Sequence, residues 1–142
     1  MKDKAYIGLI IKQINDKLEK LANKELKTKD ITFSQIRMLR ALKDSEGGAL
    51  TLKELEKLLC VAQSTTLGIA KRLEGKGLVE GGFNSVDKRI KYVKIMQKGK
   101  DICRKTQDHM DETEERLLKG LTKGERTLLY EMLLRIFNNI GI

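Results

Sequence analysis

The chain has 142 residues, of which 40% are hydrophobic and 35% are charged, and it contains no proline. A chain of this length can bury a core as one domain without disulfides or metals, and the composition is that of a folded, helix-rich protein rather than a disordered one. No apolar run approaches the roughly 18 residues that a membrane helix needs, and the first residues lead into no signal segment. We therefore expect a cytoplasmic protein without a membrane span.

The charge of the chain is unevenly distributed. Basic residues outnumber acidic residues by 29 to 20, which gives a net charge of +9. The surplus lies mainly between residues 60 and 100, where nine basic residues accompany three acidic ones. Such a segment favours a polyanion as partner, because neutralised phosphates release condensed counterions. A general need for solubility explains the charge equally well when it is taken alone.

The first predicted element is a long helix from about residue 4 to residue 26. Its apolar residues recur at the three- and four-residue spacing of one helical face. They are Ile7, Ile10, Ile11, Ile14, Leu18 and Leu21. So long a stripe must be covered, either by the body of the chain or by a second subunit.

Three capping signatures mark the starts of later helices. Each is a threonine followed three residues later by Gln or Glu, a spacing at which each side chain accepts the other residue's backbone amide. The pairs are Thr32 with Gln35, Thr51 with Glu54, and Thr122 with Glu125. The second helix is expected to end near residues 47 and 48, where two glycines permit a turn. Its expected buried stripe is Phe33, Ile36, Leu39 and Leu42.

A helix-turn-helix is predicted after Thr51, where two short helices are joined by a turn at Cys60 and Val61. The apolar positions of the first helix are Leu52, Leu55, Leu58 and Leu59. The second helix ends before Gly75 and Gly77. Its expected inward residues are Ala62, Thr66, Ile69, Ala70 and Leu73.

The outward face of this second helix has the side chains of a DNA recognition helix. Donors near its N-terminus can meet base edges, and basic residues farther along can hold phosphates. The expected base contacts are Gln63, Ser64 and Thr65, and the expected phosphate contacts are Lys71 and Arg72. An ordinary solvated helix surface is an equally good explanation of this face taken alone.

A β-hairpin, which we call the wing, is predicted for residues 78–96. Its strands cover residues 78–83 and 90–96, and in the second strand Val93 and Ile95 share the inward face.

The loop between the two strands carries basic residues for DNA. Arg89 is expected to enter a minor groove, held by a charge-assisted hydrogen bond to Asp87. Lys88 in the loop and Lys91 in the second strand complete the expected DNA contacts.

Two further helices are predicted, one at about residues 98–119 and one after Thr122. The first has an impure apolar seam of Cys103, Thr106, Met110, Thr113 and Leu117. The second has a fuller stripe of Leu129, Met132, Leu133, Ile136, Phe137 and Ile140. Both stripes require a partner surface.

The central sequence resembles the MarR family of transcriptional regulators. The matching features are a leucine-rich helix at 52–59, the Ser/Thr run at 64–66, LEGKGLV at 73–79, DKR at 87–89, and Lys98 with Gly99. The resemblance implies a mainly α winged helix-turn-helix fold with a small β-hairpin wing. Its DNA-binding region would be residues 31–96, and residues 1–30 and 97–142 would form the helical dimerisation region.

The same resemblance implies a function. It suggests a homodimer that binds a pseudo-palindromic site in double-stranded DNA, acts as a repressor and responds to a small-molecule effector. Two positions depart from the usual family pattern: Gly68 replaces a large polar residue in the recognition helix, and Met96 replaces a threonine before the fifth helix.

Other classes of function have weaker support. His109 is the only histidine, and nucleophile elbows and phosphate-binding loops are missing, so we expect no enzyme, no metal and no cofactor. Cys60 is expected to be buried as a small hydrophobe, and Cys103 lies on the presumed dimer helix. The alternatives are a winged-helix protein-interaction module and a regulator that senses oxidants through one of these thiols.

Overall fold

Helices dominate the computed structural model of the chain, which describes residues 6–83, 86, 87, 89 and 91–141. Among these residues, three short strands form one antiparallel sheet. In chain order the elements are α1 (Ile7–Leu26), α2 (Phe33–Lys43), β1 (Ala49–Thr51), α3 (Leu52–Leu59), α4 (Gln63–Gly75), β2 (Val79–Phe83), β3 (Lys91–Ile95), α5 (Gln97–Leu117) and α6 (Lys123–Asn139). The mainly α fold with a small hairpin is thus confirmed, with one strand added before α3.

The three predicted capping boxes are all present, at Thr32, Thr51 and Thr122. In each, the threonine hydroxyl accepts a hydrogen bond from the amide three residues later, and the Gln or Glu side chain accepts the threonine amide. These bonds satisfy amides that have no partner inside a helix. They fix the starts of α2, α3 and α6 at the residue after each threonine.

Strand β1 is the element that the sequence analysis missed. It pairs antiparallel with β3, so that the sheet has the order β1-β3-β2. The helix before it ends at Lys43, earlier than expected, and the chain then makes a 3-10 turn at Glu46–Gly48. Gly47 and Gly48 adopt φ values of +70° and +69°, as the prediction of a turn at two glycines requires.

The chain divides into two compact units, residues 1–104 and residues 105–142. The boundary lies inside α5, so this helix contributes to both units. The division into a DNA-binding region and dimerisation regions, expected from the sequence, stays a prediction.

The core of the first unit includes residues from α2, α3, α4 and the sheet. Its fully buried side chains include Ile36, Met38, Leu39, Leu42, Leu55 and Leu73. Burial of one such side chain contributes about 1.5 to 3 kcal/mol. The apolar stripes of α2 and α4 therefore hold the two helices in a fixed arrangement.

Several residues expected to face the core are less buried in the structure. Phe33 is only half-buried, and Ala62 is exposed because it precedes the first residue of α4. On α3, Leu55 is fully buried while Leu58 is exposed, since a helix of eight residues can turn only one narrow face inward.

The N-terminal helix leaves much of its apolar stripe uncovered within the first unit. Ile10 and Ile14 on α1 are 50% and 42% exposed. An uncovered apolar stripe of this length marks a contact surface.

In the second unit, Arg126 holds the turn between α5 and α6. Its Nη1 lies 3.0 Å and 3.1 Å from the two Glu115 carboxylate oxygens, and its Nη2 and Nε donate to the carbonyls of Leu118 and Leu121. Helix α6 exposes large apolar side chains, among them Leu133, Ile136 and Phe137. None of the described helices is long and apolar enough to cross a membrane.

The cap of α2 gives a direct test of the fold. We predict that Thr32→Ala lowers the free energy of unfolding by about 1 kcal/mol, because the Gln35 amide loses its acceptor. Urea denaturation measures this change. Thr28→Ala, an exposed threonine without a capping role, serves as the control and should stay within about 0.5 kcal/mol of wild type. Equal stability of the two variants would contradict the capping role.

Candidate nucleic-acid interface

The first turn of α4 presents three polar side chains to solvent. They are Gln63, Ser64 and Thr65. Thr66, the next residue, is buried, and its hydroxyl donates to the Ala62 carbonyl at 2.9 Å. The amides of a helix N-terminus lack intrahelical partners and carry the positive end of the helix dipole, so this turn favours an anion. Lys71 and Arg72 are exposed farther along the same helix.

The turn between α3 and α4 sets the direction in which α4 leaves. Cys60 ends α3 in the left-handed conformation, at φ +54°, and its amide donates to the Glu56 carbonyl. The Val61 amide donates to the same carbonyl at 3.3 Å. Cys60 is exposed, so the prediction of a buried thiol was wrong. The fully buried residue of α3 is instead Leu55.

The tip of the wing contains the predicted pair of Asp87 and Arg89. The Asp87 carboxylate accepts hydrogen bonds from Nε and Nη2 of Arg89 at 3.1 Å and 3.0 Å, and from the Arg89 amide at 3.0 Å. The Arg89 side chain is 90% exposed. So exposed a pair adds little to stability. Its effect is to orient a guanidinium that still has donors for a ligand.

The second strand of the wing adds another cation. Lys91 is exposed, and its Nζ lies 6.0 Å from the centre of the Phe83 ring on the paired strand. Lys88, also predicted to bind DNA, lies outside the described residues.

The predicted recognition helix, α4, and the wing both line a cleft of about 560 Å³. Its lining includes Gln63 and Leu67 of α4, Arg89 and Lys91 of the wing, and Lys53 of α3. Lys53 was missed from the sequence, because its place beside the wing depends on the tertiary fold. Its only signal in the sequence is a basic residue in the first turn of the predicted helix.

A second cleft, of about 300 Å³, separates α4 from the wing. Lys71 and Lys91 both line it, together with Tyr92. Among the described residues, Ser64, Thr65 and Arg72 are exposed on α4 but line neither cleft. The described predicted contacts thus lie along the two clefts and the exposed first turn of α4, except Arg72, which is exposed near the end of that helix.

Comparison with known proteins identifies the family. The MarR family model matches residues 29–90. The multiple antibiotic resistance protein MarR of Salmonella typhimurium is 31% identical over 131 residues, which are 92% of this chain and 90% of MarR. The chain belongs to the MarR family.

Solved structures of MarR-type proteins share the fold. A mutant MarR from Escherichia coli complexed with operator DNA is 31% identical, with 92% of each chain aligned and a TM-score of 0.80. The S. aureus MepR–DNA complex aligns over 96% of this chain and 100% of MepR with a TM-score of 0.86 and 21% identity. The winged helix-turn-helix fold and the assignment as a transcriptional regulator are therefore confirmed.

The two cysteines of this MarR-family protein differ in environment. Cys103 is fully buried, and burial raises the pKa of its thiol even though Arg40 and Lys43 act in the opposite direction. A raised pKa reduces the fraction of reactive thiolate at neutral pH. The Cys103 carbonyl accepts a hydrogen bond from Arg40 Nη2 at 2.8 Å, which fixes α5 to α2.

Within the described residues, no three His, Cys, Asp or Glu side chains are grouped closely enough to hold a metal ion.

The electrostatics of the wing tip give a pH-dependent prediction. The pKa of Asp87 lies below its ordinary value of 3.8, because the Arg89 side chain and then its amide donate to the ionised carboxylate. The pair is therefore fully present above about pH 4 and is lost as the pH falls through the folded-state pKa. We expect Arg89→Ala to raise the pKa of Asp87 towards its ordinary value, as measured by NMR titration of the carboxyl carbon.

Arg104→Ala is the matched control for this titration. Arg104 also forms an exposed pair, with Asp101 at 3.1 Å, but on α5. Its removal should leave the titration of Asp87 unchanged. An identical midpoint for Asp87 in all three proteins would show that Arg89 does not govern this carboxyl group.

Proposed function

We propose that this regulator binds double-stranded DNA as a homodimer, with α4 in the major groove and the wing tip in the adjacent minor groove. The observation that carries the proposal is the cleft lined by Gln63, Arg89 and Lys91, where the recognition helix and the wing face the same space. The operator-DNA complex of the related MarR supports the same partner.

Each part of the surface has a separate role in this proposal. Gln63, Ser64 and Thr65 meet base edges, since a helix enters the major groove with its N-terminal residues against the bases. Lys71, Arg72, Lys88 and Lys91 hold phosphates and set the register on the duplex. Arg89, oriented by Asp87, enters the minor groove, whose negative potential attracts arginine. Lys53 joins the phosphate contacts because it lines the same cleft.

The homodimer would be held by the terminal helices. Within the first unit α1 exposes Ile10 and Ile14, and within the second unit α6 exposes Leu133, Ile136 and Phe137. A symmetric dimer places two recognition helices about one helical turn of DNA apart and therefore reads a pseudo-palindrome. Family membership supports a cytoplasmic, non-enzymatic repressor that a small molecule controls.

The DNA contact is tested with a duplex of about 25 base pairs, long enough for two half-sites and recovered by repeated selection from a random pool. We predict that Arg89→Ala weakens binding to this duplex by about 1 to 3 kcal/mol. If Arg89 also neutralises a phosphate, the negative slope of log affinity against log salt becomes shallower by about one in this variant. Fluorescence anisotropy at several salt concentrations between 50 and 200 mM, the range of strong salt effects, gives both quantities.

Arg104→Ala removes an equal charge away from the proposed interface and should leave the affinity close to wild type. Equal losses in the two variants would remove the wing from the mechanism. If wild type binds no duplex even at low salt, the protein-interaction module becomes the better hypothesis.

The dimer interface is tested on α1. We expect Ile14→Glu to shift the protein from dimer to monomer at micromolar concentration, because a carboxylate in an apolar interface loses its hydration. Analytical ultracentrifugation measures the change. Gln13→Glu places the same carboxylate on the preceding residue, which is polar and exposed, and should leave the dimer intact. A monomeric wild type, or a dimeric Ile14→Glu variant, would contradict the role of this stripe.

A further inference from the structure

The LEGKGLV segment at the end of α4 contains one acidic residue. Leu73 is fully buried, Gly77 turns the chain at φ +75°, and Leu78 and Val79 are buried at the start of the wing. Glu74 is exposed, although it lies within the basic segment of residues 60–100. A carboxylate there repels DNA phosphates, so its presence calls for a compensating contact.

Glu74 makes such a contact with the backbone of the wing. Its Oε2 accepts a hydrogen bond from the Gly81 amide at 2.9 Å. The pairing of the strands explains why this amide needs a partner. The Met96 amide donates to the Leu78 carbonyl, so the pairing alternates from Leu78, and the Gly81 amide points away from β3. β2 is an edge strand of the sheet, so no further strand lies beside it. The Glu74 carboxylate accepts the hydrogen bond that the carbonyl of such a strand would accept.

Side-chain packing alone does not close the space between α4 and the wing. The cleft of about 300 Å³ lies between them, with Glu74 and Gly81 in its lining. A Cβ at Gly81 would lie 3.2 Å from Glu74 Oε2, and a Cβ at Gly82 would lie 2.7 Å from the Tyr92 ring. Two glycines thus let the strand approach α4 on one side and Tyr92 on the other, but they contribute no side chains to hold it.

We infer that Glu74 is a positioning residue for the wing. Its hydrogen bond to Gly81 fixes β2 against the recognition helix and thereby sets where Arg89 lies relative to Gln63. This inference rests on the proposed DNA-binding function and assigns one residue to the geometry of that surface.

The decisive comparison is between Glu74→Gln and Glu74→Met. Both variants remove the negative charge and have similar size, but only glutamine keeps an oxygen that accepts the Gly81 amide. We expect Glu74→Met to bind the selected duplex about three to ten times more weakly than Glu74→Gln, the range expected for one hydrogen bond. Equal affinities would overturn the inference. Glu80→Gln changes an exposed carboxylate on β2, beside Gly81, and measures the effect of charge alone.

A double-mutant cycle tests whether the effect passes through the wing. In the Arg89→Ala background, we expect Glu74→Met and Glu74→Gln to bind equally well, because the positioned group is missing. If the difference between the two variants persists in that background, Glu74 does not act through Arg89, and the inference is wrong.

Amide exchange in the free protein separates this inference from the DNA-binding proposal. We expect the Gly81 amide to exchange faster in Glu74→Met than in Glu74→Gln, and Glu74→Ala to behave as Glu74→Met does. This result would support the contact even if the wild type bound no duplex, in which case only the proposed function fails. Equal exchange rates in the three variants would overturn the contact whatever the DNA measurements show.

Discussion

The buried stripe of α4 is the constraint on which the proposed DNA-binding surface depends. Thr66, Ile69, Ala70 and Leu73 are all buried. An α-helix is stiff and its side chains project in fixed directions, so a helix held along one face has its opposite face fixed as well. The polar residues of the first turn are therefore held in place by packing behind them. Their own side chains stay available to a ligand.

Hydrogen bonds to two carboxylates fix parts of the wing, in addition to the packing of α4. The segment of residues 60–100 has only three acidic residues, and two of them hold parts of the wing. Asp87 binds Arg89, and Glu74 binds the Gly81 amide. Each carboxylate weakens the attraction for phosphates but restricts the geometry of the hairpin. The two carboxylates thus lower the positive charge of this surface and at the same time fix the positions of its backbone and of Arg89.

The features that the sequence predicted correctly are those set by near neighbours or by periodicity. A capping box involves residues three positions apart, the contact of Asp87 with Arg89 involves two, and the stripe of α4 repeats at helical spacing. Strand β1 has only three residues and is defined by its pairing with β3, some 40 residues later. No local sequence pattern therefore predicts it. The exposure of Cys60 follows from a left-handed backbone conformation that a non-glycine residue rarely adopts. The positions of Lys53 and Glu74 beside the wing likewise arise only when α3, α4 and the sheet pack together.

Strand β1 ends at a residue with two tasks. Thr51 pairs with Tyr92 of β3 and, through its hydroxyl, caps the first turn of α3. Paired residues on neighbouring strands keep their Cα atoms about 4.5 to 5.5 Å apart. The other two pairs, Ala49 with Lys94 and Leu50 with Val93, join the same two strands, so the hairpin is tied to the segment that begins the helix-turn-helix. The wing and the helix-turn-helix are therefore connected through the sheet as well as along the chain.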